Sequence, residues 1–109
     1  MKKSKQKKTL LAPIPPGEIL LEEFMVPLGI SQNSLARELD VPVTRIHDII
    51  HARRTLTSDT ALRLGSYFNT SAEFWLNLQT RYDLEITRRK IGKIIEKTIH
   101  PLPRNCEVA

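Results

Sequence analysis

The stretch RIHDIIHARR, residues 45–54, sets two histidines one helical turn apart with an acid beside the first. His47-Asp48-x-x-His51 approaches the zinc-protease signature, in which two imidazoles on one helical face hold the metal and a glutamate serves as general base. The same residues also form a polar stripe of the kind a helix lays against DNA. Zinc hydrolysis asks for more than this chain offers. The acid is the shorter Asp48, the one other histidine is His100 in the tail, and the single cysteine is Cys106 beyond it. A helix of about three turns with a strongly apolar back cannot also line an open catalytic cleft. There is no nucleophile elbow, glycine-rich phosphate loop or paired-carboxylate site. The expectation is a non-enzymatic protein without metal or cofactor.

The elements that must carry this stripe are helical. Aromatic residues make up 6% of the 109 residues, and Leu and Ile recur at spacings of three and four. That pattern reads as an all-α fold in one domain. PPGEILLEEFMVPLGI holds the first helix, opened by Pro15 and Pro16, with Glu18, Glu22 and Glu23 near its positive end. Ile19, Leu20, Phe24 and Leu28 form its apolar face, and Pro27 predicts a last turn broken or kinked at residue 26. Ser31 caps a short second helix with Leu35, Ala36 and Leu39 on one face. A third begins at about Pro42. The fourth is capped by Thr57 or Ser58 and turns Ala61, Leu64 and Phe68 inward. The fifth starts at Thr70 or Ser71, since Thr70-x-x-Glu73 reads as a capping box and Ser71 is also a good cap. Trp75, Leu78 and Tyr82 share one of its sides. Beyond residue 90 the pattern weakens into a frayed helix and then a tail cut by Pro101 and Pro103.

Helices two and three, joined by a tight turn and followed by a basic loop, form a helix-turn-helix pattern. Small Ala36 lets the two helices approach. Asp40 takes the turn position where glycine often sits, and it tolerates the left-handed conformation better than most residues. On the third helix Ile46, Ile49 and Ile50 form the inward stripe. Thr44, His47, Asp48 and His51 lie opposite, at i, i+3, i+4 and i+7. In a helix-turn-helix that stripe faces the major groove. Val43 and Thr44 suit a thymine methyl, Thr44 and His47 a base edge, and Asp48 a cytosine amino group. Arg45 borders the stripe within reach of a guanine or a phosphate. Gln32 and Asn33 open the second helix, whose N-terminus favours phosphate. Arg53 and Arg54 follow the third, either along the phosphates or as caps on a helix C-terminus.

The charge is uneven. Lys2, Lys3, Lys5, Lys7 and Lys8 are five of the 17 basic residues, and the other 12 face all 12 acids. The net charge of +5 therefore sits in the arm, either a solvated tail or a segment that follows phosphates. A basic start cut off by prolines is not a secretory signal. No apolar run approaches the roughly 18 residues of a membrane span. One tail cysteine fits a reducing, cytoplasmic compartment. The domain bounds that follow are a flexible basic arm at 1–12, a DNA-binding and dimerisation domain at 13–97, and a flexible tail at 98–109.

From about residue 13 to 90 the chain resembles the HigA/VapI-type antitoxins, a branch of the Xre-like helix-turn-helix regulators. The resemblance rests on PPGEIL, SLAREL, RI-x-x-I, RR-x-L-T-x-DTALRL and EFWLNLQ-x-x-YDL, the last two blocks being the most specific. It implies a five-helix, lambda-repressor-like domain with a longer C-terminal helix. It also implies a homodimeric antitoxin that neutralises a RelE-like mRNA endonuclease and represses its own operon at a palindromic double-stranded operator. On this chain the family's DNA-contacting positions fall at Gln32, Val43, Thr44, Arg45, His47 and Asp48, with His51, Arg53 and Arg54 as backbone contacts. A dimer also follows from the reach of one short recognition helix, which needs two half-sites for useful specificity. Trp75, Leu78 and Tyr82 are the candidates for that interface, although Trp75 serves equally well as intramolecular core. A stand-alone repressor without a toxin and a protein-holding helical module are the competing functions. Acidic helix one is a candidate surface for a basic ribonuclease.

Overall fold

The computed structural model describes residues 12–103. The lysine arm and Cys106 lie outside the described residues. Within them the chain is all helical, with five helices in succession.

Helix α1 (residues 16–28) is composite. An α-helical turn, Pro16–Ile19, opens after extended Pro15, a π-helical segment follows over Leu20–Met25, and a last α turn spans Val26–Leu28. The π segment is how the helix accommodates Pro27. The wider i→i+5 bonding, seen in Val26 N–H to the Leu21 carbonyl, occupies the turn just before the proline. It also shifts the inward face. Leu20 and Met25, five residues apart, are both fully buried, whereas Leu28 is exposed. The predicted face of Leu20, Phe24 and Leu28 assumed an unbroken α period, and the extra residue per turn replaces Leu28 with Met25.

Helices α2 (Gln32–Leu39), α3 (Val43–Ile50) and α4 (Ser58–Phe68) follow, and α5 (Ala72–Thr98) is the longest. The ends of α1 to α4 share one device. A left-handed residue follows each helix, directly at Gly29, Asp40 and Asn69 and one residue later, after His51, at Ala52, with φ of 64°, 58°, 61° and 58°. The next N–H returns to the carbonyl five residues back: Ile30 to Met25, Val41 to Ala36, Arg53 to Asp48 and Thr70 to Gly65. Gly, Asp and Asn are the residue types that tolerate this conformation, and Ala52 is the exception.

The core joins Leu20 and Met25 with Leu35, Ala36 and Leu39, Ile46 and Ile49, Leu56, Ala61 and Leu64, and Trp75. Trp75 is 0% exposed. Its ring lies 5.0 Å from Phe24 and 5.0 Å from Phe74 between centroids. Its indole N–H donates to Thr70 Oγ1 at 2.9 Å. Thr70 is thereby committed, and the ambiguous start of α5 resolves to Ser71, whose Oγ accepts from the Phe74 N–H at 3.0 Å. Two helix crossings are close enough to require glycine. A Cβ on Gly17 would sit on the Ile49 carbonyl and 2.6 Å from Ile50 Cα, and one on Gly65 would meet the Thr70 carbonyl oxygen at 2.8 Å.

One expectation about α5 fails. The helix does not fray after residue 90 but continues to Thr98. Glu85 pairs with Arg88 and Arg89, and Thr98 Oγ1 donates to the Ile94 carbonyl. The helix then stops ahead of Pro101, with Ile99 extended, as residues close before proline tend to be. Trp75, Leu78 and Tyr82 face the chain's own body. Trp75 is wholly enclosed, Leu78 packs against the core, and Tyr82 lines a groove with Pro13, Ile14 and Ile19. The aromatic side of α5 therefore contributes to the internal core, the role that Trp75 suited equally well, with Leu78 and Tyr82 half-buried. Among the described residues no helix is long and apolar enough to cross a membrane.

Candidate nucleic-acid interface

Helix α2 is capped as its sequence predicts, with Ser31 Oγ accepting from the Ser34 N–H at 3.1 Å. Gln32 is half-buried and Asn33 exposed on its first turn. At the other end Asp40 adopts φ 58° and ψ 49°, and its neighbour Val41 returns to the Ala36 carbonyl at 3.0 Å. Ala36 is buried beneath this turn. Extended Pro42 then starts α3.

Helix α3 divides into the two expected faces. Ile46 and Ile49 are buried and Ile50 is half-buried. Val43, Thr44, His47 and His51 are exposed and Asp48 is half-exposed on the opposite side. The imidazoles of His47 and His51 lie against each other, with ring centroids 4.3 Å apart. Among the described residues no group of three or more His, Cys, Asp or Glu side chains is placed to hold a metal ion. His47 and His51 are thus two adjacent donors and acceptors on an open polar surface.

Arg53 and Arg54 are exposed on the strap after α3, and the structure fixes that strap at both ends. Arg53 N–H donates to the Asp48 carbonyl at 2.7 Å, closing the cap of α3 around Ala52. Leu56 is buried, and its N–H donates to Gln79 Oε1 at 2.8 Å. Gln79 Nε2 in turn donates to Asp83 Oδ1 at 2.9 Å. The two arginines are therefore carried on a short anchored segment rather than serving only as a helix cap. Gln79 was missed in the sequence, where its signal is one polar side chain four residues after Trp75 on the inward face of α5.

Arg45 has a partner that the sequence reading did not assign. Its NH1 donates to Asp59 Oδ1 at 3.0 Å, and the same oxygen accepts from Arg63 Nε at 2.7 Å. Arg63 NH1 reaches on to the Leu39 carbonyl at 2.8 Å. The carboxyl of Asp59 is held below its usual range, chiefly by the hydrogen bond from Arg63, with Arg45 adding to it. The Asp59 and Arg63 pair was legible as an i,i+4 match on a helix. The reach to α3 was not.

These elements define a class. The helix-turn-helix family model matches residues 21–75, and the chain belongs to that family. Within it the chain belongs to the HigA/VapI-type branch. It is 49% identical over 76 residues to virulence-associated protein I of Dichelobacter nodosus, covering 70% of each chain. It is 34% identical over 84 residues to antitoxin HigA-1 of Vibrio cholerae, covering 77% of this chain and 79% of the relative. The Pseudomonas aeruginosa antitoxin HigA, solved with the higBA promoter, superposes with a TM-score of 0.81 at 47% identity over 84% of this chain and 99% of that one.

Proposed function

We propose that this chain is an antitoxin that binds and neutralises a RelE-like mRNA endonuclease and represses its own operon through α3. The observation that carries the DNA half is the exposed polar face of Thr44, His47 and His51, set between the capped start of α2 and the anchored Arg53-Arg54 strap. The strap places two cations beside the groove-facing residues, where phosphates run. Gln32, Asn33, Val43, Arg45 and Asp48 complete the surface. The structure of a HigA relative with its promoter supports this reading.

The protein works as a homodimer on two half-sites, and the face that joins the copies is the outer stripe of α5. Leu84, Ile91, Ile94 and Ile95 are exposed there. They recur at intervals of three, four and seven, the seam along which two helices pack. At about 100° per residue, Ile91 lies roughly 140° to 180° around the axis from Trp75, Leu78 and Tyr82. A second copy is the occupant because one short recognition helix reads too few bases alone. The toxin binds elsewhere, and the acidic face of α1 suits a basic ribonuclease.

The test is fluorescence anisotropy on DNA from upstream of the gene, against scrambled DNA, over a range of salt. Specific binding whose logarithm falls linearly with log salt is the expected result. Arg53→Glu with Arg54→Glu abolishes it while toxin capture persists. Equal affinity for both DNAs, or loss of toxin capture with DNA binding intact, overturns the reading.

A further inference from the structure

The Asp59 carboxylate lies in a bracket formed by three helices. Its own helix, α4, sits against the turn of the helix-turn-helix through Arg63, whose NH1 donates to the carbonyls of Leu39 at 2.8 Å and Asp40 at 3.4 Å. Arg63 Nε holds Asp59 Oδ1 at 2.7 Å. The acid is therefore presented to α3 from a fixed position, where it takes Arg45 NH1 at 3.0 Å. Arg45 is on the flank of the DNA-facing stripe, with its side chain 27% exposed, while Asp59 is 55% exposed. Both remain accessible to a ligand lying along α3.

We propose that Asp59 is a specificity-determining residue that acts through Arg45, holding the guanidinium on the flank of α3 until a base edge replaces the pairing. This rests on the DNA-binding reading above. A phosphate on any sequence attracts a loose arginine. An arginine already bound to a carboxylate must give up that bond, and the acid it leaves faces the same phosphates. A guanine offers N7 and O6 together to one guanidinium, two bonds in place of one. Arg63 stays on Asp59 when Arg45 departs, so the acid keeps a partner. Asp59 thus opposes indiscriminate contact and permits the matched one.

The experiment is anisotropy with the full chain on operator and scrambled DNA at several salt concentrations, for a two-by-two set of Asp59→Asn and Arg45→Ala. The wild type separates the two DNAs. Asp59→Asn lowers the operator-to-scrambled affinity ratio by about tenfold, and steepens the salt slope on scrambled DNA by about one. In the Arg45→Ala background the same change leaves the ratio where it was, and Asp59→Glu restores most of it. A ratio unmoved by Asp59→Asn overturns the inference. So does an equal drop in both backgrounds, which would mean that Asp59 acts through Arg63 and the turn. If Asp59→Asn does not fold, Asp59→Ser removes the carboxylate with a smaller side chain and keeps Arg45, and an unchanged ratio there overturns it equally. A wild type that fails to separate the two DNAs removes the DNA-binding reading itself, a distinct outcome.

Discussion

Over residues 72–83, helix α5 turns Trp75 and Gln79 into the body of the protein, and both are buried. Over residues 84–98, the same helix leaves Leu84, Ile91, Ile94 and Ile95 in the open and carries the ion pairs Glu85–Arg88 and Glu85–Arg89. The first half is the better enclosed, and the second, though richer in charge, carries an aliphatic stripe with no counterpart among the described residues. Apolar character alone does not say what a side chain packs against. The decisive quantity is whether another element of the same chain lies over it. The phenylalanines of α1 and α4 lie around Trp75, whereas the half beyond Asp83 leads away from the body.

Substitutions can sharpen or break that contrast. The largest effect is expected from Trp75→Ala, which removes a fully buried ring and the bond to Thr70 and should cost about 3–5 kcal/mol by denaturant unfolding. For a small domain that is much of the total. If Trp75→Ala instead leaves stability intact and changes only assembly, the division of α5 is wrong. Gln79→Ala should cost about 1–3 kcal/mol, because the Leu56 N–H is then buried without an acceptor. It should also loosen Arg53 and Arg54, read as a loss of operator affinity at a temperature where the variant is fully folded. In the second half, Ile91→Glu with Ile94→Glu should convert a dimer to a monomer in light scattering while the unfolding free energy of the monomer changes by no more than about 0.5 kcal/mol. Ala52→Gly relieves a left-handed alanine and should stabilise by about 0.5–1 kcal/mol.

The smallest effect is at the junction of the halves. The Glu85 carboxyl is held below its usual range, first by the hydrogen bond from Arg89. A lowered folded-state value means that its contribution is present above the ordinary carboxylate range and is lost as pH falls through the lowered value. Glu85→Gln should therefore flatten the acid limb of stability slightly, and Asp59→Asn should do the same for the same reason. A steeper limb in either variant would contradict the pairing.

Much of the site was legible because it is written in local periodicities. The two faces of α3, the Ser31 cap, the left-handed Asp40 and the small Ala36 all follow from spacing and residue type over a few positions. Features that depend on which helix meets which were not legible. Met25 is in the core only because the π segment changes the period ahead of Pro27. Gln79 belongs to the interface only because Leu56 reaches it across 23 positions of chain. Asp59 reaches α3 only through the crossing of α4. Trp75, Leu78 and Tyr82 share one side of α5, as their spacing gives, and Trp75 takes the core role that the sequence left open beside a contact with a second copy.

Gly17 has a consequence for how the protein assembles in time. It joins α1 to the far end of α3, and α1 also packs on α5 and, through Phe24, on Phe68 of α4, so the helix made first waits for partners made after it. Helices α2 and α3 can meet as they emerge, and α4 and α5 soon after. In that order the arrival of α1 would complete the seat beneath the end of α3. Interactions formed after the folding barrier govern how fast a protein comes apart more than how fast it forms. A side chain added at Gly17 should accordingly raise the unfolding rate and leave the folding rate nearly unchanged. The lifetime of the folded α1–α3 contact would then be set by a residue that lies outside the polar face of α3.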